Sequence, residues 1–190
     1  MADIYTVENY VRDLKVVRSK ETDDAAIMAR VGPLATKLAQ NGEHWLRPEH
    51  YVYDQDRGSG IHQLHEEDDH TLMIFAACFK PGRITPVHDH GTWAVVSGVV
   101  GTETNEAHVR SDDGSKPGLA EIVKGDERQI GHGDIVNIAK GAFHVVRNDT
   151  ADVTISLHTY GYNPTMTDRS QYNPSNGELK EYKYTIHKHG

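Results

Sequence analysis

From Leu72 to Tyr160 the chain is a succession of short β-type runs: LMIFAACF, TWAVVSGVV, HVR, LAEIVK, QIGHGDIVNIA, HVVRN and VTISLHTY. Gly, Pro, Asp and Asn separate them. Runs of this length, bounded by turn residues and with no helical period between them, specify an antiparallel sandwich or barrel. Residues 111–118, SDDGSKPG, have the composition of a hairpin tip or small insertion.

The first forty or so residues carry a different period. Val7, Tyr10, Val11, Leu14 and Val17 recur at helical spacing, and Met28, Val31, Leu34 and Leu38 do so in a second stretch. The second opens on the capping-type pair Asp23 and Asp24 and stops at Asn41-Gly42, with Pro33 expected to break or kink it. These helices carry no recognisable chemistry, so their expected role is to cover a sheet. A chain of 190 residues supports one domain with a sizeable core. The expected division is a helical cover over 1–43, a β-barrel over 44–162 and a wrap over 163–190, with an added strand near Tyr182 to Ile186.

Composition narrows the partners. A formal charge of −8, with no run of Lys or Arg, argues against nucleic acid. No apolar stretch is long enough to cross a bilayer and none resembles a signal core, so a soluble, cytoplasmic protein with no membrane partner is expected. The lone cysteine, Cys78, cannot form an internal disulfide and sits in an apolar run as a small buried hydrophobe would.

Within the β region, PVHDHGTW sets His88 and His90 one residue apart. On a strand the two imidazoles project from one face and can offer nitrogens to one ion, while Asp89 points the other way. A pair of surface histidines near a turn is the alternative. Farther on, GDIVNIAKGAFHVVRN contains Gly133, Gly141, His144 and Asn148 just before a strand. In ISLHTY, Ser156, His158 and Tyr160 alternate with Ile155, Leu157 and Thr159 and must share one face of a strand.

Gly82-x5-His88-x-His90 followed by Gly98 resembles the first motif of the cupin superfamily. Gly133 through His144 to Asn148 resembles the second, with Lys140 where that motif usually has proline. The resemblance implies an all-β core folded as a double-stranded β-helix (jelly-roll) barrel, with the N-terminal helices packed on it and the three histidines together at one end. Most cupins add a glutamate four or five residues after the second histidine. Ala94 and Val95 stand there instead, leaving neutral ligands only. Such a set suits iron(II) awaiting an anionic substrate, and also zinc with a bound water.

Together HDHGTW, the second motif and S-x-H-x-Y resemble the thiol dioxygenases, the family of cysteine dioxygenase and the bacterial 3-mercaptopropionate and mercaptosuccinate dioxygenases, over about residues 60 to 162. That resemblance implies Fe(II) held by His88, His90 and His144, with Ser156, His158 and Tyr160 as an outer triad. It also implies addition of both atoms of O2 to the sulfur of a small thiol carboxylate, giving a sulfinic acid. Tyr160 would donate a hydrogen bond to dioxygen or a substrate oxygen, with His158 orienting it and Ser156 orienting His158. No cysteine stands near Val95, so no cross-link to Tyr160 is expected.

The family's early-strand carboxylate-binding residue falls at His62 or Gln63, the register being open. Arg169 resembles the arginine that mercaptopropionate-type enzymes bring in after their triad, its alternative being a solvated loop charge. Tyr162 is expected to line the same mouth. A dicarboxylic thiol would require a second cationic group, for which His62, Arg57 and Arg169 are candidates. Two other readings remain at this level: a different cupin oxygenase, isomerase or hydrolase, and a non-catalytic cupin sensor. The oligomeric state, monomer or small homo-oligomer, is open.

Overall fold

The computed structural model of the protein describes residues 4–188, so the first three residues of the expected cover and the last two of the wrap lie outside the described residues. Three helices come first: α1 (Val7–Lys20), α2 (Asp24–Ala39) and a single turn, α3 (Gly42–Trp45). Then follow β1 (Ser59–Glu66), β2 (Met73–Phe79), β3 (Val87–His88), β4 (Ala94–Val100), β5 (Glu103–Arg110) and β6 (Ile122–Ile130). The rest are β7 (Ile135–Ile138), β8 (Phe143–Arg147), β9 (Thr154–Tyr160), β10 (Ser170–Asn173), β11 (Glu178–Glu181) and β12 (His187–Lys188).

Two six-stranded sheets result, ordered β12-β1-β2-β9-β4-β7 and β11-β10-β3-β8-β5-β6. Apart from the hairpins β1–β2, β5–β6 and β10–β11, consecutive strands pass from one sheet to the other, the arrangement of a jelly-roll β-sandwich, with the helices packed on one sheet. The segment 111–118 links β5 to β6 as a hairpin tip.

The middle of one sheet is buried on both faces. Every residue of β2 and β9 is buried, because the barrel interior lies on one side and the helices on the other. Leu72, Ile74, Ala76, Val95, Ile155 and Leu157 face Tyr10, Leu14, Met28, Val31 and Leu38. Phe75, Ala77, Ala94, Val96 and Tyr160 face inward. LMIFAACF is therefore continuously apolar instead of alternating, and Cys78 is buried within it with its thiol pushed up to about 12 by desolvation. A buried hydrogen bond of 2.7 Å between the Tyr10 hydroxyl and Thr159 Oγ1 ties α1 to the back of β9.

The structure departs from expectation at two places. First, α2 runs unbroken through Pro33, capped by Asp23, whose side chain accepts from the Ala26 N–H. The carbonyl that loses its partner to the proline is that of Ala29, on the exposed side of the helix and open to solvent. Second, Tyr182 to Ile186 is not a strand. The chain leaves β11 in one sheet and enters β12 in the other, so the segment between crosses the barrel mouth, and after the Tyr182 N–H donates to the Arg169 carbonyl at 3.2 Å it joins no ladder until His187. Tyr182, Tyr184 and Ile186 nonetheless alternate inward along it. The wrap also contributes β10, which pairs with β3 and closes the second sheet beside the histidines.

Candidate metal centre and its cavity

β3 and β8 meet at one antiparallel residue pair, His88 opposite His144, so both imidazoles point into the barrel. His90 follows just beyond β3, where Gly91 turns the chain at φ +66°. A Cβ at Gly91 would meet the Thr167 side chain at 2.6 Å, so glycine is required by both conformation and space. Asp89 points away, as expected: its carboxylate accepts from the N–H groups of Gly91 at 2.7 Å and Ser170 at 2.9 Å. That bracket fixes the loop against β10.

The three Nε2 atoms converge. His144 Nε2 lies 3.2 Å from both His88 Nε2 and His90 Nε2. His88 Nδ1 donates to the Pro86 carbonyl at 2.9 Å and His144 Nδ1 to Asn105 Oδ1 at 3.1 Å. A neutral imidazole that donates from Nδ1 presents a bare lone pair at Nε2. Burial drives the charged forms out: desolvation lowers His88 and His90 well below the usual histidine range and brings His144 down to about 3. Lone pairs of neutral rings facing one another at 3.2 Å repel unless a cation lies between them. Two nitrogens each 2.0–2.1 Å from one ion stand roughly 2.9–3.4 Å apart. The donor set and its spacing thus fit a divalent ion, and His88, His90 and His144 form the one such cluster among the described residues. No carboxylate joins them: Ala94 faces inward beside Tyr160 and Val95 faces the helices.

The triad forms a continuous line down β9. Ser156 Oγ is 2.9 Å from His158 Nε2, and His158 Nδ1 is 2.9 Å from the Tyr160 hydroxyl. All three are buried. Phe75 stacks on the His158 ring at 5.0 Å, and the Tyr160 ring stands edge-on to His90 at 5.0 Å. Desolvation brings His158 down to about 3 and lifts the Tyr160 phenol well above its usual range, so the phenol keeps its proton.

Between triad and histidines lies a cavity of about 50 Å3, lined also by Arg169, Tyr182 and Tyr184. Arg169 is only 2% exposed, which overturns the solvated-loop alternative. Its Nε donates to the Asp89 carbonyl at 3.2 Å, and the guanidinium lies 4.5 Å from the Tyr182 ring centre and 4.6 Å from that of Tyr184. Its buried Nη1 and the Tyr184 hydroxyl close no hydrogen bond of standard geometry, although the guanidinium and that hydroxyl approach each other. Among the described residues, no acidic side chain lines the cavity.

The remaining candidates lie elsewhere. Ile61, not His62, reaches the cavity from β1. His62 pairs with Ala76 on the opposite face, its Nε2 2.8 Å from the Val52 carbonyl and its ring stacked on His187. Gln63 shares the inward face with Phe75 but stands off the cavity, next to β12. Tyr162 lines a separate outer groove with Trp93 and Lys140, and Arg57 is exposed. Four residues around the centre were not singled out from sequence: Asn105, Glu103, Tyr182 and Tyr184. The alternation of aromatic residues in YKY was the available signal for the two tyrosines, whereas the run ETN carries none that separates its inward from its outward residues.

No protein-family model matches the sequence. Among solved structures, an oxalate oxidase in complex with glycolate aligns at 18% identity and a TM-score of 0.46, over 58% of this chain and 55% of that one. The match thus spans little more than half the oxalate oxidase. A double-stranded β-helix protein from Klebsiella pneumoniae aligns at 15% and 0.43, over 67% and 96%. A cupin from Methanocaldococcus jannaschii aligns at 14% and 0.42, over 60% and 90%. Similarity this low carries nothing about a shared activity. Among the described residues, no helix is long and apolar enough to cross a membrane.

Proposed function

We propose that the protein is an iron(II)-dependent thiol dioxygenase that converts a small carboxylate-bearing thiolate and O2 into the sulfinate, RS⁻ + O2 → RSO2⁻. The observation that carries this reading is the Ser156–His158–Tyr160 line ending in the cavity that the three histidines share. A hydrating or hydrolytic centre built on three histidines has no evident use for it.

Iron(II), held by His88, His90 and His144, would supply open positions for thiolate and dioxygen and the electrons that join them. The chain's own groups do the rest. Three neutral ligands leave the ion's charge uncompensated, favouring an anionic sulfur. Arg169 offers Nη1 to the substrate carboxylate, a charge-assisted contact that sets the distance from acid group to sulfur. Tyr160 holds its proton at the phenol oxygen, within reach of the oxygen atoms being transferred, and His158 fixes the ring's hydroxyl. Tyr182 and Tyr184 close the mouth and exclude water.

With one guanidinium and no carboxylate lining the cavity, nothing there pairs with an α-ammonium group. A mercapto-acid such as 3-mercaptopropionate therefore suits it better than cysteine. The test is oxygen uptake by iron-loaded protein with cysteine, cysteamine, 3-mercaptopropionate, mercaptosuccinate and mercaptolactate. One O2 consumed per sulfinate, with 3-mercaptopropionate preferred to cysteine, is expected. Uptake with none of them overturns the reading.

A further inference from the structure

Among the described residues, Glu103 is the one acid that points into the barrel behind the triad. It lies on β5 with its side chain on the same face as Asn105, the partner of His144, while Thr104 and Glu106 turn outward to Asp149 and Arg147. Glu103 is 2% exposed. The hydroxyls of Ser156 and Thr154 approach its carboxyl, yet neither carboxyl oxygen closes a hydrogen bond of standard geometry, and Thr154 Oγ1 is unpartnered too. A buried acid with open oxygens beside the free end of a hydrogen-bond chain can be that chain's terminus.

What it does there follows from counting protons. Neutral His158 has a single N–H. If Ser156 donates to His158 Nε2, that proton is on Nδ1, which donates to the Tyr160 oxygen and leaves the phenol O–H free to point into the cavity. If His158 instead donates from Nε2 to Ser156, its bare Nδ1 accepts the phenol proton, and Tyr160 has none to offer. A charged carboxylate can only accept, so it draws the Ser156 hydroxyl towards itself and imposes the second arrangement. The neutral acid, with Thr154 donating to its carbonyl oxygen, gives its own proton to Ser156 and imposes the first.

We propose that Glu103 is a positioning residue that sets the direction of the Ser156–His158–Tyr160 hydrogen-bond chain, so that its protonation decides whether the Tyr160 hydroxyl faces the cavity as a donor. Desolvation lifts this carboxyl to about 7 against the pull of the two hydroxyls, which puts the change near neutrality. No charged group opposes it. The Cys78 thiol of β2 is neutral, β6 presents Ile130, β8 presents Val146 inward while Arg147 pairs with Glu106 and Glu127 outside, and β9 presents only hydroxyls.

The effect on turnover rests on the dioxygenase reading; the direction of the chain does not. The test is therefore 15N NMR of the histidine side chains in full-length protein loaded with diamagnetic zinc(II), the His158 signals being assigned by their loss in His158→Asn. The expected result is that His158 carries its proton on Nδ1 below pH 6 and on Nε2 above pH 8, and that Glu103→Gln and Ser156→Ala each abolish the change. The same tautomer at both extremes in the unsubstituted protein, or a change that survives in either variant, would overturn the proposal. In the iron-loaded enzyme, sulfinate formation should fall about tenfold per pH unit above the transition, and Glu103→Gln should lose that limb. A tautomer change in a protein that oxygenates no thiol leaves the inference standing and removes the dioxygenase reading. Thiol oxygenation with a fixed tautomer does the reverse.

Discussion

His88 and His144 sit directly opposite each other across a single antiparallel pair, with their Nε2 atoms 3.2 Å apart. Because their Nδ1 atoms are tied to the Pro86 carbonyl and to Asn105, the two rings are aimed before any ion arrives. Alanine at either histidine should abolish stoichiometric metal binding. Asn105→Ala should weaken it by roughly 10- to 100-fold while the fold persists, as read by chelator competition alongside circular dichroism. Undiminished affinity in Asn105→Ala would remove that side chain from the support of the centre.

Tyr160→Phe keeps the ring that packs on Phe75 and His90 and removes only the hydroxyl. Metal content should be unchanged, while sulfinate formation drops on the order of 10²-fold or separates from oxygen consumption. Full turnover in the phenylalanine variant would take the phenol out of the mechanism.

Arg169→Lys retains the charge but loses the planar fork that lies against Tyr182 and Tyr184. KM for a carboxylate-bearing thiol should rise roughly 10- to 100-fold, the equivalent of about 1.5–3 kcal/mol for a lost charge-assisted hydrogen bond. The response to a thiol without an acid group should be far smaller. Equal losses for both substrates would point to a disturbed fold, and circular dichroism distinguishes the two.

Acid should destabilise the metal-free protein. His88, His90, His144 and His158 are all held neutral by burial, the last two down to about 3. The unfolded chain takes up their protons near pH 6.5, so their contribution is complete above that value and is lost progressively as pH falls towards 3. Glu103 works in the opposite sense: its raised carboxyl favours the folded state most below about 4.5 and loses that contribution as pH rises through 7. Four groups outweigh one, and Tm should fall by several degrees between pH 7 and pH 5. A Tm that is flat or rising over that interval would contradict the burial of neutral imidazoles.

The parts of the site legible in the sequence are those that depend on local period. Residues two apart on a strand share a face, so His88 with His90, and Ser156 with His158 and Tyr160, followed from spacing, and the paired motifs brought in His144. Where long-range register decided the outcome, the sequence was ambiguous. Between His62 and Gln63 the answer turned on which face of β1 meets the barrel, and the cavity position went to Ile61. The burial of Arg169 depends on two tyrosines more than ten residues on, carried over the mouth by a segment that changes sheets. Pro33 does not break α2, because a proline's cost depends on where its freed carbonyl points. Glu103 and Asn105 read as polar positions of an ordinary strand, since nothing local marks an inward-facing acid.

The central claim is that both atoms of O2 reach the substrate sulfur. Mass spectrometry of the product formed from 3-mercaptopropionate by the iron-loaded protein under 18O2 tests it most directly. The account predicts a sulfinate in which both added oxygens are labelled; a product with one or no labelled oxygen, or a disulfide formed without oxygen transfer, would contradict it.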